Sequence, residues 1–328
     1  MSDRAQSART SVSTTNAPSS AIWPIALASL RIAYRDRTVV WLTAMFLAMV
    51  LISAYLGWSA THTLDAIFQK AVPVLKMLGK TVPANPASDV SPLSDLRNMT
   101  TYVSLLGALV AIVFGTQLIG ADRKSGVLPL IASRPVSRSD YALGKILALI
   151  VALLGLLAIA AIVNVVTMLL LPGQALTRAD WFSLAAFYGA SALCLIVFGQ
   201  TGLLCATVTR SETMALLIPV TIWLAMTFVL PQLTGNINPM AALNPIKATL
   251  VPTTGSFFNI TSLVFGPISL IDAYRSLAAT ILGFAPEGQP LRPMLPAASL
   301  LVVANLLLAI AILRAMRRFD ASRSDYHD

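Results

Sequence analysis

Three observations predict an all-α membrane protein with six transmembrane helices. The chain is 56% hydrophobic with only 11% charged residues and a mean hydropathy of +0.76 over 328 residues, whereas soluble domains carry about 25% charged residues. Six segments, about 39–58, 100–119, 146–171, 182–208, 213–230 and 293–313, carry no charged side chain and approach or exceed the roughly 20 apolar residues needed to cross a bilayer. The basic residues crowd one set of connections, as the positive-inside rule requires of cytoplasmic loops.

The elements follow in order. Residues 1–20 are polar and rich in Ser, Thr and Ala. They read as a disordered cytoplasmic tail, with a transit peptide as the alternative, and no secretory signal pattern is evident. Residues 21–38 carry Trp23, Ile25, Leu27, Leu30 and Ile32 ahead of Arg31, Arg35 and Arg37, which suits an amphipathic helix in the inner interface. Residues 39–314 form the six-span domain, and 315–328 a second cytoplasmic tail.

With both termini inside, the short inner connections hold Arg123, Lys124, Arg134, Arg138, Lys145 and Arg210, and the C-terminal flank holds Arg314, Arg317, Arg318 and Arg323. Spans four and five meet at a tight polar turn, Arg210-Ser211-Glu212. After span one, Leu64, Ile67, Phe68, Ala71, Val74, Leu75 and Leu78 recur at helical spacing, and Pro83, Pro86 and Pro92 follow. This predicts a short outer helix and a Pro-rich return. Between spans five and six, residues 257–271 run without charge. They are too short to span and predict a re-entrant or interfacial element buried against protein. Asp272 and Arg275 follow at i,i+3 on one helical face and can pair.

The composition excludes several functions. A net charge of +9 lies beside spans rather than on a soluble face, which argues for anionic lipid rather than nucleic acid. The two histidines, His62 and His327, lie outside the spans and form no zinc motif. No paired carboxylates lie in a span, so no catalytic residue is assigned. Gly79-Lys80-Thr81 has Val74, and Gly144-Lys145 has Ser139, where a phosphate-binding loop needs glycine. Cys194 and Cys205 share span four, roughly 16 Å apart along its axis, and read as packing residues. Met45, Met49, Met168, Met214 and Met226 read as apolar filler, since no Met-x-x-Met cluster offers soft ligands. No metal site or cofactor is assigned to the chain. Gln117, Asn164, Gln200, Thr201 and Asn305 are the polar residues within spans. They are candidates for lining a path, with interhelical hydrogen bonding as the alternative.

The most specific stretch is 120–145, between spans two and three. Asp122 opens it, 124–132 can form two to three helical turns with an apolar stripe of Val127, Leu128, Leu130 and Ile131, and Pro135 ends them. Ser139 or Asp140 can cap span three. Read as acidic–x–x–Ser–Gly–Val–Leu–x–Leu, then Pro-Val-Ser-Arg, then Gly-Lys, the stretch resembles the cytoplasmic loop of type-2 ABC transporter permeases, including the copper-maturation and gliding-associated kinds. The usual glutamate is replaced here by Asp122.

That resemblance implies a coupling helix between spans two and three that docks on a separate ABC ATPase subunit. It assigns ATPase coupling to Asp122, Ser125, Gly126, Leu128, Leu130, Pro135, Val136, Ser137, Arg138, Gly144 and Lys145. It further implies a permease dimer with a second copy of this chain, ATP and Mg held by the ATPase rather than by this subunit, and a bacterial inner-membrane location. An alternative is a mechanotransducer or membrane scaffold that acts on a periplasmic partner without carrying a substrate, motivated by the apolar outer segment 257–271.

Overall fold

The computed structural model describes residues 21–79, 81, 93, 96–126, 137–170, 177–234, 255–283 and 293–317. It confirms the all-helical class. Six helices are long and apolar enough to cross a membrane: Arg37–Ser59, Arg97–Lys124, Arg138–Leu170, Arg178–Val208, Glu212–Leu233 and Met294–Arg317. The end of span two at 123–126, the start of span three at 137–138, the turn 209–211 and the end of the sixth span share one side, called here the basic side; the opposite side is the far side.

Helix α1 (Ile22–Ala33) buries Ala26, Ser29, Leu30 and Ala33, a stripe at the i, i+3, i+4, i+7 spacing of one helix face. It packs on the start of span three. Gly144 permits that approach, since a Cβ there would lie 2.7 Å from Ile25 Cγ2.

Asp36 caps α2 (Arg37–Met77), its carboxylate accepting from the Thr38 N–H at 2.8 Å. This helix differs from the expectation of a separate outer helix. It runs 41 residues without a break, through Pro73, to a left-handed Gly79 with φ 63°. Residues 59–63, Ser-Ala-Thr-His-Thr, are polar but hold neither Gly nor Pro, so nothing stops the turn-by-turn propagation of the helix.

Span two starts as α3 (Arg97–Tyr102), passes through a π-turn at Val103–Gly107 and continues as α4 (Ala108–Lys124). It is the centre of the bundle, with 78% of its apolar window buried against 28%, 22% and 22% for spans one, five and six. Those three expose long apolar faces, such as Trp41, Leu51, Leu217, Ile222, Leu306 and Leu307, as lipid-facing helices do.

Span three is α5 (Arg138–Leu170) and span four is α6 (Arg178–Val208). A capping box starts α6. Asp180 Oδ2 accepts from the Thr177 N–H at 2.8 Å, and Thr177 Oγ1 accepts from the Asp180 N–H at 3.3 Å. Helices α4 and α6 meet backbone to backbone through glycines. A Cβ on Gly115 would lie 2.0 Å from the Gly199 carbonyl oxygen, and one on Gly202 2.5 Å from that of Ile112. Small residues give membrane helices this close approach and its dense van der Waals contact.

Gly155 and Gly189 have room. Nothing lies within 4 Å of a Cβ built on Gly155, so Gly155→Ala is expected to stabilise the fold by about 0.5–1 kcal/mol through helix propensity alone. A thermal midpoint at or above that of the parent chain checks it.

Span five is α7 (Glu212–Leu224), a second π-turn at Ala225–Val229, and α8 (Leu230–Leu233). Pro231, just past that turn, has no N–H to return to it. On the far side α9 (Ser256–Phe265) and a 3₁₀ turn (Gly266–Ile268) meet α10 (Leu270–Leu282) at 84°. The burial expected of 257–271 falls instead on α10. No residue of α9 is buried, and Phe257, Ile260 and Leu263 are exposed, whereas α10 buries Ile271, Tyr274, Leu277 and Ala278. Helix α10 is amphipathic and turns its apolar face to the bundle, whereas α9 leaves its apolar residues Phe257, Ile260, Leu263 and Val264 exposed. The Thr261 hydroxyl donates to the Leu233 carbonyl and fastens α9 to the end of span five. The sixth span is α11 (Met294–Arg317).

Candidate functional site

Three consecutive residues at the basic end of α4 reach three different helices. Asp122 was expected to open the loop. It lies instead in the last turn of the helix and is buried, as is Lys145. Asp122 Oδ2 receives Lys145 Nζ at 2.6 Å and the Tyr141 hydroxyl at 2.6 Å. Tyr141 and Lys145 are four residues apart in α5 and so share a face, with Nζ 5.3 Å from the tyrosine ring centroid.

Arg123 Nη1 donates to the Thr209 carbonyl at 2.8 Å, closing off the last turn of α6. Lys124 pairs with Glu212 in the first turn of α7. Ser211 caps that helix, its hydroxyl accepting from the Met214 N–H at 3.5 Å. The Lys124–Glu212 pair is largely exposed and is worth about 0–1 kcal/mol, whereas the Asp122–Lys145 pair is sealed from water.

Across the loop, Arg138 Nη1 donates to the Arg317 carbonyl at 2.7 Å, at the end of span six. Span three is capped by Ser137 rather than by Ser139 or Asp140: its hydroxyl accepts from the Asp140 N–H at 2.9 Å, because the helix begins at Arg138, two or three residues earlier than those caps imply. The two ends of the loop are thus bonded to spans two to six, and Gly144 seats α1 beside them.

Of the residues assigned to coupling, Asp122, Gly144 and Lys145 lie inside this frame, while Ser125, Gly126, Ser137 and Arg138 stand at the loop's two ends. Ser125 donates to the Asp122 carbonyl at 3.2 Å, and Gly126 has φ 64°, the left-handed geometry that ends a helix. The expected coupling helix therefore does not begin at Lys124, which belongs to α4. Leu128, Leu130, Pro135 and Val136 lie outside the described residues.

The polar span residues have separate partners. A small cavity between α1 and the loop base, walled by Ser29, Asp36, Gln117, Asp122 and Lys145 among others, includes Gln117 but none of the other four. The Asn164 amide donates to the Tyr188 hydroxyl at 2.7 Å, and that of Asn305 to the Leu193 carbonyl at 3.0 Å. Thr201 bonds the carbonyl of Val197 in its own helix at 2.8 Å, and Gln200 is buried.

The sequence reading missed Tyr141, Arg123, Lys124, Thr209, Glu212 and Arg317 as parts of the frame. The one signal was the Tyr141–Lys145 spacing, with a lysine set directly against a long apolar run.

Six helices long and apolar enough to cross a membrane, joined at the base of a basic loop, make a multi-pass membrane protein. Residues 23–323 match the family described as ABC-2 family transporter protein, and the chain belongs to that family. No curated protein sequence matches the chain.

Proposed function

We propose that this chain is the transmembrane subunit of an ABC transporter, with the loop 125–137 engaging a separate ATPase that holds ATP and Mg. The observation that carries the reading is the frame of Asp122, Arg123, Lys124, Arg138 and Lys145, which joins that loop to spans two to six. A push on a loop so anchored reaches the helices of the bundle together rather than one span alone. Asp122, Gly144 and Lys145 act in this scheme as positioning residues, and Leu128 and Leu130 fill the partner's groove.

The basic side faces the cytoplasm of a bacterial inner membrane, both termini lie there, and a second copy completes the permease along the poorly buried faces. ATP-driven closure of the ATPase pair moves the loops and opens or squeezes a path between the copies.

Affinity purification from the native membrane tests the reading. A P-loop ATPase is expected at stoichiometric amounts, and Leu128→Asp is expected to abolish its co-purification while leaving the permease folded. A preparation free of ATPase at both low and high salt would make the loop a plain basic flank.

The exposed apolar helix α9 favours a second reading, a mechanotransducer acting on a periplasmic partner. Capture of such a partner through α9, with no transport in vesicles, would select it.

A further inference from the structure

The cavity beside the loop base is walled by polar groups whose bonding capacity the protein does not fill. It lies between α1 and the basic-side ends of spans two and three and has a volume of about 20 Å³, room for one or two water-sized groups. Asp122 and Lys145, both buried, line it. Among the described residues, both bonds to the Asp122 carboxylate fall on Oδ2, which leaves Oδ1 to accept another donor. Ser29 also lines the cavity and is 4% exposed. Neither its hydroxyl nor the Gln117 amide bonds to a described residue. Asp36 completes the polar wall. Its Oδ1 caps the first span, and its Oδ2 is left over. Buried polar groups in native proteins are hydrogen-bonded, so this wall fits a polar occupant.

Charge and size select that occupant. Two carboxylates stand against one ammonium, which leaves the cavity short of one positive charge. Asp122 Oδ1, Asp36 Oδ2, Ser29 Oγ and the Gln117 carbonyl oxygen all accept hydrogen bonds. An anion fits neither fact. A metal ion asks for six or more oxygen ligands, and the rest of the wall is apolar. A primary ammonium carries three donors, is the size of a water molecule and brings the missing charge.

The surroundings supply its source. Helix α1 exposes Trp23, Leu27 and Tyr34, side chains that hold a helix at headgroup level. Asp36 and Gln117 are half-buried, and Arg35 and Arg37, on either side of Asp36, are exposed. We propose that this cavity binds the primary ammonium of a phospholipid headgroup, with the headgroup phosphate at Arg35 and Arg37. A lipid so held ties α1 to the base of the loop.

The full chain in nanodiscs of equal phosphatidylethanolamine and phosphatidylcholine tests the site, with retained lipid counted by native mass spectrometry. The first lipid retained is expected to be phosphatidylethanolamine by about ten-fold, the ratio that one charge-assisted hydrogen bond controls. The trimethylammonium of phosphatidylcholine has no N–H to donate and is too large for the cavity. Asp36→Asn, which keeps a capping side chain, and Gln117→Leu are each expected to lower the preference several-fold, and thermal midpoints in pure phosphatidylcholine report whether each variant is folded. On the parent chain, stepwise N-methylation of the ethanolamine headgroup is expected to erode the preference in step with the donors lost. Equal retention of the two lipids by the parent chain would overturn the site and leave it to water. A preference that both variants keep, or that survives full methylation, would overturn it as well. Free ethanolamine that displaces the lipid would support the ammonium site and move its source to solution. None of these readouts needs an ATPase, so the result is independent of the coupling reading.

Discussion

Lys145→Met is expected to destabilise the folded permease by about 3–5 kcal/mol, because it strands the Asp122 carboxylate inside the protein. Both partners are sealed, with side chains 2% and 7% exposed. The Tyr141 hydroxyl remains as a donor to Asp122, but a hydroxyl supplies no compensating charge. The double variant Asp122→Asn, Lys145→Met should recover most of the loss, since a neutral amide still accepts from Tyr141 and no charge is left buried. Thermal unfolding of the purified chain in one lipid composition reads both. A single variant that melts with the parent, or a double variant no better than the single, would show that the pair does not brace spans two and three.

The next largest effect is expected from Gly115→Ala. The added carbon falls 2.0 Å from the Gly199 carbonyl oxygen and 3.0 Å from the Leu203 nitrogen, and both are backbone atoms of α6. No rotamer change relieves such a clash, so two helices must separate along their contact. Overpacking a core typically costs about 1–3 kcal/mol, and this site should lie at or above the upper end. Gly202→Ala, aimed at the Ile112 carbonyl oxygen at 2.5 Å, should behave alike. Gly115→Ala with a parental melting midpoint would mean that α4 and α6 are not in backbone contact.

Hydropathy made the six spans legible because lipid imposes one requirement on every residue of a span: no charge and no open backbone bond. The polar turn at Arg210-Ser211-Glu212 was legible for the complementary reason. The loop base was not. Asp122 and Lys145 are charges flanking apolar runs, and their sequence looks the same whether they face water or each other. Only the packing of α4 on α5 puts them together. The glycine contacts escaped for a similar reason, since Gly115, Gly199 and Gly202 matter through the backbone opposite them, which composition does not reveal. In the segment before the last span, a buried re-entrant or interfacial element was expected over 257–271, whereas the chain breaks between α9 and α10 and the burial falls on α10. A run without charge looks like a core segment, whereas the amphipathic stretch carrying Asp272 and Arg275 was the one that met the bundle.

The unbroken first span has a mechanical consequence. At 1.5 Å per residue its 41 residues make a rod of about 60 Å, roughly twice the thickness of the ~30 Å hydrocarbon layer. Residues 60–77 continue past the apolar part as an overhang of about 27 Å. Such a rod is a lever with its fulcrum in the membrane. A tilt of about ten degrees, well within the range of membrane helices, sweeps the free tip through about 5 Å. A tilt of the first span within the bilayer therefore carries residues 60–77 with it, enlarged by the length of the overhang.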